Sequence, residues 1–208
     1  KEFHEALFYT TKTIHTQNQF QNTLKLIGDN TDNFVQGYME CDYKKSNSRS
    51  VANLRISEFP IKAPYLIAQA DFVACEDVSF LKKDNVLENI KPFGTLLVQT
   101  GSNQDDLWNL IPTEQKQLIN KKNVELYAIS QDGPDETHGI KGEAISWIQG
   151  CYLAFQDVEI EKNDFSIIKN RMRRVDTSNR VESDANMTVF DQGFDETLLG
   201  KLLANKGN

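Results

Sequence analysis

The chain has 208 residues, 39% of them hydrophobic and 25% charged, which fits one soluble globular domain with a core of ordinary size. A net charge of −7 argues against a nucleic-acid partner, because phosphate contacts need clustered Lys and Arg. No run approaches the roughly 18 apolar residues of a membrane helix, and the start "KEFHEALFY" carries no signal-peptide pattern, so a cytoplasmic protein is expected.

The elements alternate along the chain. Residues 6–9 read as a strand, and 17–27 as a helix with Phe20, Leu24 and Ile27 on one face, closed by Gly28. Residues 28–33, "GDNTDN", have the composition of a turn-rich loop. Two alternating β runs, "FVQGYMEC" and "VANLRISE", flank the polar "DYKKSNSRS" and read as a hairpin or neighbouring strands. Residues 63–70, "APYLIAQA", suggest a short helix with Pro64 at its start. "DFVAC" is a buried strand, and "SFLKKDNVLENIK" (79–91) a helix with Ser79 at its N-cap.

Residues 94–100, "GTLLVQT", are strongly strand-like. "DDLWNLI" and "PTEQKQLINKK" are helical, the second with Pro112 in its first turn and Lys121 and Lys122 at its negative end. "NVELYAIS" is another strand. "GEAISWIQGCYLAF" reads as a buried helix, followed by a helical tail on which Arg171, Arg173 and Arg174 form a solvated basic face. Strands alternating with helices of this length predict an α/β fold: a doubly wound, largely parallel sheet with helices on both faces and a helical C-terminal segment. With no repeat or low-complexity linker, residues 1–208 form a single domain, and the missing initiator Met suggests that it is excised from a longer chain.

Chemistry in such a sheet gathers at the carboxyl ends of the strands. The segment "TTKTIHT" follows the first strand, and Lys12 and His15 in it could contact a phosphate. A phosphate-binding turn needs bare backbone, however, and there is no glycine between Thr10 and Ile27, so a solvent-facing loop is the better reading. Glu40 or Asp42 after the second strand would suit a ribose hydroxyl. His4, His15 and His138 lack metal-ligand spacing and read as surface or capping residues. Cys41, Cys75 and Cys151 form no C-x-x-C, so reduced thiols are expected, with Cys75 a buried small hydrophobe; iron–sulfur ligation within the chain is not. The loop "SQDGPDETHG" has the glycines and proline of a mobile lid or partner contact. No nucleophile elbow, zincin or Walker pattern is present.

The stretch "KLIGDNTDNFVQGYMECDYKKS" resembles the γ-type domain of pyruvate:ferredoxin (flavodoxin) oxidoreductases, the third domain of the single-chain form and a separate subunit in multi-chain relatives. The pattern of that family runs I-I-G-D-N-T-D, then A-Q-G-Y-F-x-Y-D-S-K-K-S-G-G, then P-Y-L-I and A-D-F-V-A-C-H. Its counterparts here are Gly28 to Asp32, Gln36 to Tyr38, Asp42 with Lys44, Lys45 and Ser46, Leu54 and Arg55, Pro64 to Ile67, and Ala70 to Cys75. "LENIKPFGTLLVQT" and "LWNLIPTEQKQLINKKNVELYAIS" are similar to later parts of the pattern, so the likeness covers almost the whole chain. The departures lie at loop ends. "TTKTIHTQNQFQ" falls on the family's glycine turn and keeps none of its glycines, Glu76 stands where relatives often have His, and Thr100 and Gly101 where they have Asn-Ser-Pro.

The resemblance implies a parent enzyme that oxidatively decarboxylates a 2-oxoacid to its acyl-CoA. It also implies thiamine diphosphate, Mg and iron–sulfur clusters held by other domains, with coenzyme A as substrate and ferredoxin or flavodoxin as the electron partner of the parent. This domain would pack against those others and face coenzyme A, with no catalytic residue, bound metal or cofactor of its own. The candidate coenzyme-facing or interdomain rim is Lys12, His15, Asn30, Asp42, Lys44, Lys45 and Arg55. The alternative is a non-catalytic assembly module of another redox enzyme, such as a sulfite reductase subunit. That reading fits the lost glycines, because a βα loop drifts once no ligand must approach its backbone.

Overall fold

The computed structural model describes residues 3–11, 14–41, 49–101, 107–130, 139–140, 143–144, 149, 152–153 and 172–174. Its elements in chain order are β1 (His4–Thr11), α1 (Ile14–Asn30), β2 (Phe34–Cys41), β3 (Arg49–Ser57), β4 (Ala70–Cys75), α2 (Phe80–Lys83), a 3-10 turn (Val86–Asn89), β5 (Ile90–Thr100), α3 (Leu107–Leu110), α4 (Thr113–Lys122), β6 (Glu125–Ser130), the short β7 (Gly139–Ile140) and β8 (Glu143–Ala144), and β9 (Met172–Arg174). A seven-stranded sheet runs β2-β3-β1-β4-β5-β6-β9, and β7 pairs with β8 apart from it. The four central strands β1, β4, β5 and β6 are parallel. β2 and β3 form an antiparallel hairpin beside β1, and β9 runs antiparallel to β6 at the far edge.

This is the expected α/β architecture, with helices on both faces. In β1, Ala6, Leu7, Phe8 and Tyr9 are all buried, because a central strand is covered on both sides and its sequence need not alternate. Ala6 and Phe8 face α1 through Phe20 and Ile27, with Phe72 and Tyr152 in the same core. Leu7 and Tyr9 face the opposite core, with Leu81, Leu87, Trp108 and Ile119 from the elements on that side. β1 pairs with β3 on one flank and β4 on the other, so the connections diverge there, the switch point at whose carboxyl end ligands bind in sheets of this class.

Several local expectations are corrected. Residues 63–70 are not helical before the strand residue Ala70. The Ile67 N–H donates to Asn53 Oδ1 at 3.0 Å and the Tyr65 carbonyl accepts from Arg55 Nη1 at 2.8 Å, so sheet side chains take the backbone groups a helix would use. The helix expected over 79–91 shrinks to α2 and the 3-10 turn, because Asp84 is extended and Ile90 pairs with Ala70 as the start of β5. Ser79 makes no side-chain cap; its N–H instead donates to Asp77 Oδ1 at 2.7 Å.

α1 runs past Gly28 to Asn30, and the Thr31 hydroxyl then closes its end by donating to the Ile27 carbonyl at 2.8 Å. Arg173 and Arg174 lie on β9 rather than on a helix, where Arg174 pairs with Glu125 at 3.1 Å; Arg171 lies outside the described residues. Within "GEAISWIQGCYLAF", Glu143–Ala144 are strand while Gln149, Tyr152 and Leu153 are helical and buried. The rest of the expected helical tail, His138 and most of the "SQDGPDETHG" loop lie outside the described residues. Among the described residues, no helix is long and apolar enough to cross a membrane.

Candidate functional site

The parallel strands deliver Thr11, Cys75 and Thr100 to one carboxyl edge, the place where ligands bind in sheets of this class. Glu76 dominates that edge. Its N–H continues the parallel ladder by donating to the Tyr9 carbonyl at 3.0 Å. Its side chain then turns back, and Oε2 accepts the Thr11 N–H at 2.7 Å. The Thr16 hydroxyl in the first turns of α1 donates to the Thr11 carbonyl at 3.3 Å. Burial raises the Glu76 carboxyl above its ordinary range, the Thr11 N–H opposes that rise, and nearby Asp77 adds to it.

Around this point, Arg49 forms an ion pair with Asp84, and the Tyr9 hydroxyl accepts from Asn89 Nδ2 at 2.7 Å. The Thr10 hydroxyl is buried without a hydrogen-bond partner. Cys75 is fully buried, and burial pushes its thiol far up, so it packs as a small neutral hydrophobe rather than a thiolate nucleophile. Among the described residues, no three or more His, Cys, Asp or Glu side chains gather to hold a metal ion. Among the described residues, Cys41 and Cys75 are free thiols, a pair that does not fit an iron–sulfur cluster.

The opposite, amino edge of the parallel strands carries a different network. Arg55 Nε donates to Glu5 Oε1 at 2.9 Å, and its Nη1 donates to Gln36 Oε1 at 3.1 Å and to the Tyr65 carbonyl. The Tyr65 ring lies over the guanidinium, 4.9 Å from Cζ to the ring centroid. Lys91 Nζ pairs with Asp71 at 2.9 Å and with Glu5 at 3.3 Å, which closes a four-residue chain of alternating charge. Arg55 is only 4% exposed, and its Nη2 is buried without a partner.

The seven rim residues named from the sequence therefore divide. Arg55 is at the amino edge, and so is Asn30, the last residue of α1, whose side chain is not described. His15 falls in the first turn of α1 at the carboxyl edge, its side chain likewise not described. Lys12, Asp42, Lys44 and Lys45 lie outside the described residues, but Cys41 and Arg49, which flank residues 42–48, end the hairpin at the carboxyl edge. Arg49 and Arg55 stand six residues apart on one strand, which is about 20 Å of extended backbone. Glu5, which pairs with Arg55, and Lys91 and Asp71, which extend that chain, come from three separate strands, and no spacing in the sequence could have linked them. His4, expected at the surface or a cap, is half-buried with Nδ1 3.0 Å from the Tyr152 hydroxyl.

Comparison with known proteins places this geometry. Residues 21–196 match the family described as pyruvate ferredoxin/flavodoxin oxidoreductase. The chain is 38% identical over 126 residues to the probable pyruvate-flavodoxin oxidoreductase of Escherichia coli K12, covering 61% of this chain and 11% of that protein. It is 32% identical over 169 residues to the pyruvate-flavodoxin oxidoreductase of Trichormus variabilis, covering 81% and 14%. It thus spans only 11 to 14% of the length of these relatives. The crystal structure of the pyruvate oxidoreductase subunit PORC from Thermotoga maritima superposes with a TM-score of 0.53 at 15% identity over 76% of this chain and 79% of the subunit, a likeness of fold. The sulfite reductase alternative finds no support in these relatives. With its parallel core, its hairpin flank and a family match across most of its length, the chain belongs to the pyruvate ferredoxin/flavodoxin oxidoreductase family.

Proposed function

We propose that the chain serves as the γ-type domain of a 2-oxoacid (pyruvate):ferredoxin/flavodoxin oxidoreductase, packed against the thiamine-binding domains and facing coenzyme A, without catalysing a step alone. The observation that carries this reading is the family match over residues 21–196, which begins within α1 and takes in every later strand of the sheet. The parent reaction is oxidative decarboxylation of the 2-oxoacid to an acyl-CoA, with electrons passing to ferredoxin or flavodoxin. Thiamine diphosphate, Mg and the iron–sulfur clusters belong to other domains in this reading. Lys12, His15, Asp42, Lys44 and Lys45, neighbours in sequence of Thr11, Ile14 and Cys41, are proposed as the coenzyme-facing rim, the lysines meeting phosphate and Asp42 ordering its segment by charge pairing with them. Asn30 and Arg55 belong to the interdomain rim.

The Glu76 carboxylate gives this reading a physical limit. It already occupies the Thr11 amide at the end of β1, and a phosphate brought there would meet like charge as well as the side chains of a glycine-free turn. Coenzyme contact is therefore assigned to the assembled enzyme and not to this edge by itself. The test is the full polypeptide carrying this sequence, purified with any subunits that accompany it. It is expected to reduce methyl viologen with pyruvate and coenzyme A and to form acetyl-CoA. The absence of reduction with pyruvate and with a panel of other 2-oxoacids, in a preparation loaded with thiamine diphosphate and clusters, would reject the proposal.

A further inference from the structure

The amino edge carries aromatic surface that nothing in the carboxyl-edge chemistry uses. Phe93 is 77% exposed and sits at φ 62, in a backbone region where a bulky side chain is strained and glycine is not. The strain comes from a bulge. Ala70 pairs with Ile90 while Phe72 pairs with Thr95, so Lys91–Gly94 loop out of the β4–β5 ladder and carry Phe93 off the sheet. Gly94 is held tightly there, since a Cβ would lie 3.0 Å from the carbonyl oxygens of both Asp71 and Lys91.

The same edge bears Phe34 at the start of β2 and Phe59 just past β3, with Tyr65 and Leu66 on the segment leading to β4, all exposed. Arg55, under the Tyr65 ring, keeps one buried N–H donor without a partner. Exposed aromatic side chains are the anchors on which interface centres are built. The charges between them, Arg55, Glu5, Lys91 and Asp71, are already paired with one another, so the edge offers apolar area and no field to steer a soluble redox partner. A permanent neighbour fits that character, and relatives about seven to nine times as long as the matched segment supply one.

We infer that the amino edge, centred on Phe93 and Tyr65, is buried against a neighbouring domain of the parent oxidoreductase. This rests on the reading of the chain as one domain of that enzyme. It adds which of the two edges packs and which side chains anchor the contact, and it leaves the carboxyl edge to face the coenzyme.

Hydroxyl-radical footprinting of the full polypeptide, purified with its subunits, tests it. After correction for intrinsic reactivity, Phe93 and Tyr65 should label at least about fivefold more slowly than their exposure in this domain predicts, at every protein concentration. Substituting Phe93→Gly relieves the strained backbone, so the β4 and β5 amides should exchange as slowly as before, while labelling of Tyr65 rises about threefold. Protection that appears only as concentration rises would mean that a second copy covers the edge and would overturn the inference. So would full labelling of Phe93 and Tyr65 with protection elsewhere on the domain, or an F93G variant with unchanged Tyr65 labelling. Free labelling over the whole domain surface would instead remove the reading of the chain as a packed domain.

Discussion

Glu76 holds the Thr11 amide at the end of β1 with a carboxylate that burial has made reluctant to ionise. A carboxyl whose proton is bound more tightly in the folded state than in the unfolded chain favours folding at low pH. That contribution is lost as pH rises from the unfolded value, about 4.3, through the raised folded value. Glu76→Gln keeps an acceptor for Thr11 but never ionises. Its stability relative to the parent should be near its minimum at pH 4 and should climb toward pH 7, read from urea midpoints across that range; a gap that does not change with pH would contradict the account. Two glycines give a second residue-scale prediction. At Gly37 a Cβ meets the ends of the Leu24 and Phe20 side chains, which can swing aside, whereas at Gly94 it meets two backbone carbonyls and Ile90. Gly94→Ala should cost about 1–3 kcal/mol and Gly37→Ala less, measured by chemical denaturation.

At the scale of elements, Lys122 at the end of α4 shows where sequence reasoning stops. The two terminal lysines read from the sequence as partners of the helix's own negative end. Lys122 instead reaches across to the carbonyls of Leu87 and Ile90, each at 2.7 Å, and of Glu88 at 3.1 Å, pinning the 3-10 turn where it enters β5. Replacing Lys122 by Met should strand those acceptors and cost about 1–3 kcal/mol, with loss of exchange protection concentrated at the start of β5. A uniform loss across the sheet would argue against the staple. The strands were legible because β1, β4, β6 and residues 94–100 of β5 are short apolar runs, and the hairpin segments read as β runs even though β3 is buried almost throughout. Residues 63–70 and 79–91 were not, because their fate is decided by Asn53, Arg55 and Ala70, which are distant in sequence and adjacent only in the sheet.

The whole molecule places two unlike edges at opposite ends of its strands, and that division was invisible in the sequence. Arg49 and Arg55 sit close together in the chain, yet the extended β3 holds them at opposite edges of the sheet. What the sequence did expose was the family pattern and the turn without glycine, because both are local. Arg55 ties the amino edge to the core, so Arg55→Met, which leaves Gln36 and the Tyr65 carbonyl without their donor, should cost about 3 kcal/mol. The loss should hardly change with salt, because the guanidinium is buried; strong salt dependence in the denaturation midpoint would count against that.

The central claim is that this domain has no phosphate seat of its own at the end of β1. Titrating coenzyme A into the 208-residue chain while following the backbone amides of Thr11 and Thr16 by NMR tests it most directly. The account predicts that neither amide moves saturably up to millimolar ligand and that thermal stability is unchanged. A saturable shift of the Thr11 amide, with the stabilisation of about 2.7 kcal/mol that a hundredfold excess over Kd confers, would contradict it.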